Sequence, residues 1–183
     1  ESTVNLITED HAMLQILNTL NEYSDEVYAH SLGVSIYAVM IARKLQWSSA
    51  NTLFKVSTGG LLHDIGKKEL SPELLQKKRI EMTKEELDNY ESHPERGVKI
   101  LREIKSIPIE ILQIVHQHHE NCLGQGFPAR LTKPHIYPLA RLITVANVFC
   151  NLTIGSSSHA RMKVKDSLAQ MLAVEVSFLD SEM

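Results

Sequence analysis

Helical periodicity recurs along almost the whole chain, and no segment shows the alternation of a half-buried strand. Apolar residues at Met13, Leu14, Ile16, Leu17 and Leu20 trace one helical face across residues 9–22. Ser24-Asp25-Glu26 then reads as a cap and acidic first turn for a long helix through about Leu45. Val27, Val34, Tyr37, Ala38 and Ile41 recur on it at helical intervals. A further helix is expected from about Ser49 to Asp64, with Gly66 as its stop. Ser71-Pro72-Glu73 is a cap followed by proline at the first helical position, and His93-Pro94-Glu95 has the same form. Thr83 with Glu86 three residues on fits a capping box. Pro108 and Pro138 each open a helix, the first through about His118, the second through about Leu152. Between them Glu120–Pro134, with two glycines and two prolines, reads as a loop. Gly155-Ser156-Ser157-Ser158 breaks the pattern before a last amphipathic helix over Asp166–Val176. The expected fold class is all-α, a helical bundle.

The chain has 183 residues and a formal charge of −3, so residues 1–183 are read as a single domain with residues 1–22 as a leading helix. Mild acidity argues against a nucleic-acid polymer as partner, because such a groove needs clustered basic charge. No apolar run approaches the roughly 18–20 residues that a membrane span needs. The two cysteines, Cys122 and Cys150, form no CxxC pair, which excludes a cysteine zinc finger and a disulfide scaffold. No signal peptide opens the chain, so the expected location is cytoplasmic. The first residue is Glu1 rather than Met. We therefore expect the C-terminal part of a longer protein, carrying an N-terminal regulatory domain and open to protein partners.

Six of the nine histidines (His30, His63, His93, His116, His118 and His119) fall between His30 and His119. Glu26 and His30 stand four apart on a predicted helix and so share a face. His63-Asp64 ends a helix and precedes Ile65-Gly66-Lys67, His93 starts one, and His118-His119-Glu120 leads into the glycine-rich loop. These residues supply imidazole nitrogens and carboxylate oxygens without thiolate, a set that suits iron, manganese or zinc. An aspartate beside a histidine can bridge two metals while the imidazole binds one, and paired ions can hold and polarise a phosphoryl group. Lys67 offers a movable point charge for a phosphate. Taken singly, a histidine is most often a structural residue, and His11, His135 and His159 are read so. One turn cannot aim His116, His118 and His119 inward together, so His116 is expected to point elsewhere. Cys122 is read as a buried structural thiol, since no third group orients it as a nucleophile.

The ordered series His30, His63-Asp64-Ile65-Gly66-Lys67, His93-Pro94, His118-His119-Glu120 and Gly124-Gln125-Gly126-Phe127-Pro128 resembles the HD-GYP family, a branch of the HD superfamily of metal-dependent phosphohydrolases. The resemblance runs from about Glu26 to Leu152. It implies an HD-type helical bundle, a centre of two or three metal ions, and hydrolysis of cyclic di-GMP through pGpG. It also implies His30, His63, Asp64, His93, His118 and His119 as metal ligands, with Glu26 assisting a third ion. In the implied mechanism Asp64 bridges the ions and Lys67 faces the substrate phosphate. The family loop reads HHExxDGxGYP and this one HHENCLGQGFP, so Leu123 replaces an aspartate and Phe127 a tyrosine. Phe127 can pack against or stack on a substrate but donates no hydrogen bond. The family's last ligand is an aspartate in an Ala-Asp pair. Here the pair is Ala146-Asn147, which offers a carbonyl oxygen without charge. The arginines that follow the late helix in the family are missing until Arg161.

The resulting expectation is a weak cyclic di-GMP phosphodiesterase with two transition ions, iron first and manganese second, acting on cyclic di-GMP or pGpG. Two other readings stay open: a silent domain that binds metal, cyclic di-GMP or protein, and a related enzyme acting on another phosphate ester or as a di-iron oxygenase.

Overall fold

The structure, a computed structural model, describes residues 25–154 and 161–175, without the side chains of Asp25, Glu26, Val174 and Glu175. The leading helix predicted over residues 1–22, the break at Gly155–Ser158, Val176, His11 and His159 all lie outside the described residues. The elements are α1 (Asp25–Lys44), α2 (Ala50–Leu62), a 3₁₀ turn (Ile65–Glu69), α3 (Pro72–Gln76) and a second 3₁₀ turn (Arg79–Glu81). There follow α4 (Lys84–Glu91), α5 (His93–Arg102), α6 (Ile109–Gln117), a third 3₁₀ turn (Lys133–His135), α7 (Pro138–Ile154) and α8 (Val164–Gln170). A π-helical turn (Met171–Glu175) continues α8. No strand occurs among the described residues; a single bridge pairs Leu123 with Thr132 across the loop after α6.

The helix ends follow the caps. The Ser49, Ser71 and Thr83 hydroxyls accept from the amides of Thr52, Leu74 and Glu86, and Glu86 returns a bond to the Thr83 amide. Each such bond satisfies one of the amides that a helix start leaves orphaned. His93 departs from the expectation. It is the first residue of α5 rather than its cap, and the preceding Ser92 has helical angles (φ −81°, ψ −9°) and no side-chain cap bond. Ser92 instead closes α4, its amide and hydroxyl both reaching the Asn89 carbonyl, so two helices meet at one residue. Helix α2 stops at Leu62, two residues early, and α8 starts two residues before Asp166.

Two apolar clusters share α6 as a common wall. Ile111, Leu112 and Val115 face Leu62, Ile65, Val98 and Leu101, whereas Ile114 faces Val34, Ala38, Val56, Leu142 and Ile143. The spacing of one helix thus feeds two faces, which a wide apolar stripe permits. Helix α1 packs on α2 and α7, and α5 packs on the first 3₁₀ turn and on α6. The ends of α2 and α6 and the start of α5 therefore come together, and the chemistry lies there.

Candidate metal centre

His63 and Asp64 follow the last residue of α2, His93 begins α5, and His118 and His119 follow the end of α6. Each of three imidazoles is locked the same way. Nδ1 of His63 donates to the Gly60 carbonyl at 2.8 Å, that of His93 to Tyr90 at 2.7 Å, and that of His118 to Val115 at 2.8 Å. A carbonyl only accepts, so the proton sits on Nδ1 and the lone pair of Nε2 points inward. Asp64 lies between these lone pairs. Its Oδ2 is 3.3 Å from Nε2 of His63, and its Oδ1 is 3.3 Å from Nε2 of His93 and 3.4 Å from Nε2 of His118. His30 on α1 joins from the His63 side, ring centroids 5.4 Å apart, and His119 from the other, 5.0 Å from His93 and 4.1 Å from His118.

Two donor groups result: His30, His63 and Asp64, and Asp64, His93, His118 and His119. Asp64 belongs to both. Acceptor faces acceptor at the short approaches, and Nε2 of His63, Oδ1 of Asp64 and Nε2 of His119 are buried without a hydrogen-bond partner. An unsatisfied buried polar group costs about 1–3 kcal/mol, and several converging on one point are what a cation relieves. The donor set fits divalent metal ions.

The electrostatics agree. Burial lowers the pKa of His30 to about 4 and of His118 to about 3, and it holds His93 and His119 below the usual histidine range. These rings are neutral near pH 7, the form that binds metal. Burial alone would raise Asp64, but the influence of His63 and Lys67 outweighs it and keeps the carboxyl well below the usual range. Burial would likewise lower Lys67, but Asp64, 2.6 Å from Nζ, raises it. The Lys67 ammonium also lies over the Tyr90 ring, 5.6 Å from its centroid.

Of the residues singled out from sequence, His30, His63, Asp64, Lys67, His93, His118 and His119 converge. Asn147 on α7 is buried, hydrogen-bonds with His30, and accepts from Nδ2 of Asn151 at 3.3 Å. Phe127 is buried and stacks on His119, centroids 4.4 Å apart at 21°. Glu26 sits in the first turn of α1, its side chain outside the described residues. His116 is half-buried and belongs to neither donor group, and His135 is exposed beside Thr132. Cys122 is only half-buried, because the loop carries it away from the core; Cys150 is the buried cysteine. Leu123 is exposed, bridges to Thr132 and belongs to neither donor group.

Sequence reasoning treated Glu120 only as a possible oxygen donor. Its buried carboxylate instead accepts from the amides of Ala129 (2.7 Å) and Leu131 (2.8 Å), pinning the loop that places Phe127. Gly126 assists, since a Cβ there would lie 2.4 Å from the His119 carbonyl oxygen. The carbonyls of Gly60, Tyr90 and Val115 were missed as well.

The lowered histidine values set a pH dependence for the metal-free protein. The folded chain binds fewer protons than the unfolded one below about pH 6.5. The stabilisation is therefore complete above that value and is lost as pH falls toward about 4 for His30 and about 3 for His118. Each such histidine contributes up to about 1.4 kcal/mol per pH unit within its window. Urea midpoints measured in chelator at pH 7.5, 6.5 and 5.5 should fall at each step, with the larger drop between pH 6.5 and 5.5. A flat profile would contradict neutral buried rings.

A family model described as an HD domain matches residues 12–183. Cyclic di-GMP phosphodiesterase PA4108 of Pseudomonas aeruginosa is 28% identical over 155 residues, which covers 84% of this chain and 36% of that protein. The 3'3'-cGAMP-specific phosphodiesterase 3 of Vibrio cholerae is 31% identical over 143 residues, covering 78% and 30% respectively. The chain thus spans about a third of the length of these curated relatives. Among solved structures, Bd1817, an HDG"Y"P protein from Bdellovibrio bacteriovorus, superposes with a TM-score of 0.71 over 96% of this chain and 56% of that one. At 23% identity this likeness shows a common fold.

Proposed function

The chain belongs to the HD domain family, and on that premise we propose that it is a metal-dependent phosphodiesterase domain acting on a cyclic dinucleotide, with cyclic di-GMP opened to pGpG as the first candidate. One observation carries the reading: Asp64 is shared by two donor groups whose imidazole lone pairs face its two oxygens. The names of the relatives from Pseudomonas and Vibrio support the substrate class.

In this proposal His30 and His63 would hold one ion with Asp64, and His93, His118 and His119 would hold the second with it; Glu26 would add a donor, and Asn147 would add one on leaving Asn151. Nitrogen and oxygen donors without thiolate favour iron, then manganese. Divalent ions bound there supply Lewis acidity toward a phosphodiester and a lowered pKa for water. The residues themselves do the rest. Asp64 stays ionised, and burial keeps the rings of His30, His93, His118 and His119 neutral near pH 7, with their lone pairs free. Lys67 remains protonated, so it acts as a fixed positive charge toward a substrate phosphate and not as a base. Its presence beside Asp64 favours a phosphate ester over an oxygenase substrate. Phe127 holds His119 in place and supplies no hydroxyl.

We place the domain in the cytoplasm, where the thiols of Cys122 and Cys150 stay reduced. No helix among the described residues is long and apolar enough to cross a membrane. A single domain regulated by a further N-terminal one belongs to the same proposal.

Turnover is expected to be slow, because Asn147 brings no charge and its oxygen is engaged by Asn151. The same observation favours a second reading, a silent domain that binds metal and nucleotide. Wild type, Phe127→Tyr, Asn147→Asp and the double variant should be assayed with cyclic di-GMP and pGpG at matched iron or manganese loading. We expect Asn147→Asp to tighten metal binding first and to raise turnover roughly tenfold, and Phe127→Tyr alone to change little. Brisk wild-type turnover would overturn the expectation of weak activity. Fully loaded variants that all stay silent would favour the binding domain.

A further inference from the structure

Arg79 opens the second 3₁₀ turn, between Lys67 and His93 in sequence. Its guanidinium carbon lies over the Phe127 ring, 5.1 Å from the centroid, and Phe127 in turn stacks on His119. Guanidinium, phenyl and imidazole thus form a column from the exposed rim to the donor cluster. The turn that presents Arg79 is built rather than loose. Glu81 accepts from the Lys78 amide at 3.3 Å and its own amide returns to the Lys78 carbonyl at 2.8 Å, while Nζ of Lys77 meets Oε1 of Glu86 at 2.5 Å. Ile80 on the turn is 93% exposed, so apolar burial does not set the position of Arg79. Arg79 has a second partner, the Glu91 carboxylate on α4.

We infer that Arg79 binds the second phosphodiester of the substrate, the one that is not cleaved, and so determines specificity for a dinucleotide ring over a simple phosphodiester. The inference rests on the cyclic-dinucleotide reading above. Such a ring carries two phosphates. Lys67 and the donor cluster account for one, and the other must meet positive charge nearer the rim. Arg96 is committed elsewhere, bonded to Ser92, Asn89 and the Glu69 carbonyl; Lys77 and Arg79 each pair with one carboxylate, but Arg79 is the one that also lies over Phe127. Arg79 is half-exposed, is oriented by an aromatic face, and is balanced by one partly exposed carboxylate. Exposed ion pairs contribute little, whereas a guanidinium fork on a phosphate is charge-assisted and bidentate. A guanidinium fork suits carboxylate and phosphate alike, so a substrate phosphate would compete with Glu91 for Arg79. This placement supplies on α4's side of the centre the kind of group missing after α7, where no arginine precedes Arg161.

The test compares manganese-loaded wild type with Arg79→Ala, Arg79→Lys and Glu91→Gln, using cyclic di-GMP and the single-phosphate ester bis(p-nitrophenyl) phosphate, with calorimetric Kd beside the kinetics. Arg79→Ala should raise Kd and KM for cyclic di-GMP about tenfold, leave kcat within about twofold, and leave the single-phosphate ester unaffected. Arg79→Lys should fall between, and Glu91→Gln should tighten cyclic di-GMP binding by freeing the guanidinium. An unchanged Kd in Arg79→Ala would overturn the inference and leave the enzyme reading standing. Equal losses on both substrates would also overturn it, showing that Arg79 only props Phe127 against His119. Wild type that cleaves the simple ester yet neither binds nor cleaves cyclic di-GMP would sink the inference and the dinucleotide reading together.

Discussion

Asp64→Ala is expected to remove both bound ions together and to reduce phosphodiester turnover by more than the 10–100-fold that losing an outer-shell partner of a metal ligand usually costs. The reason is geometric. Oδ2 faces His63 and Oδ1 faces His93 and His118, so one side chain completes two donor groups. Its loss also leaves the Lys67 ammonium without the carboxylate that lies 2.6 Å away. Asp64→Asn preserves the shape and separates charge from packing. It should keep the fold while failing to hold two ions, because an amide offers one neutral oxygen where the carboxylate offers two that share a charge. Metal content by elemental analysis, with circular dichroism as the control for folding, checks both variants. Loss of a single ion from Asp64→Ala would refute the shared role.

Gly66→Ala should be the most damaging conservative change outside the donor set. A Cβ at this position would lie 1.9 Å from the His93 carbonyl oxygen and 2.5 Å from the Gly97 amide nitrogen. These are backbone atoms of α5 and cannot rotate aside. The facing Gly97 is confined less tightly, with a Cβ there 2.9 Å from Cγ1 of Val115 and 3.3 Å from the Gly66 nitrogen. The first 3₁₀ turn and α5 touch through two glycines, and any side chain must push them apart. The cost is expected at the upper end of overpacking, about 3 kcal/mol or more. Because α5 carries His93, the half of the centre containing His118 and His119 should lose metal affinity as well. Urea unfolding of the chelated protein measures the first effect, and manganese titration of the folded fraction measures the second. A shift below about 1 kcal/mol would mean that the contact is looser than the backbone distances indicate.

Much of the centre is legible in the sequence, because donor chemistry restricts residue type and the helix caps fix where each donor sits. His63-Asp64 at a helix end and His118-His119 at another are readable from periodicity and capping alone. What escaped was held by the backbone or by distance. The device that aims His63, His93 and His118 is a carbonyl three residues upstream in every case, and every residue has a carbonyl, so no residue type betrays it. His93 resembled a cap because proline follows it, whereas the continuity of α4 into α5 through Ser92 depends on backbone angles. Glu120 next to two histidines has the composition of a ligand, yet its oxygens bond loop amides nine and eleven residues on. The column from Arg79 through Phe127 joins segments far apart in sequence, and only packing brings them together.

Asp64 belongs to both donor groups and would be shared by a pair of ions, which manganese binding followed by electron paramagnetic resonance tests most directly. About two ions per chain are expected, with the signal of an exchange-coupled pair, since a shared carboxylate would link the metals. A single isolated ion, two uncoupled ions, or no uptake at all would contradict it.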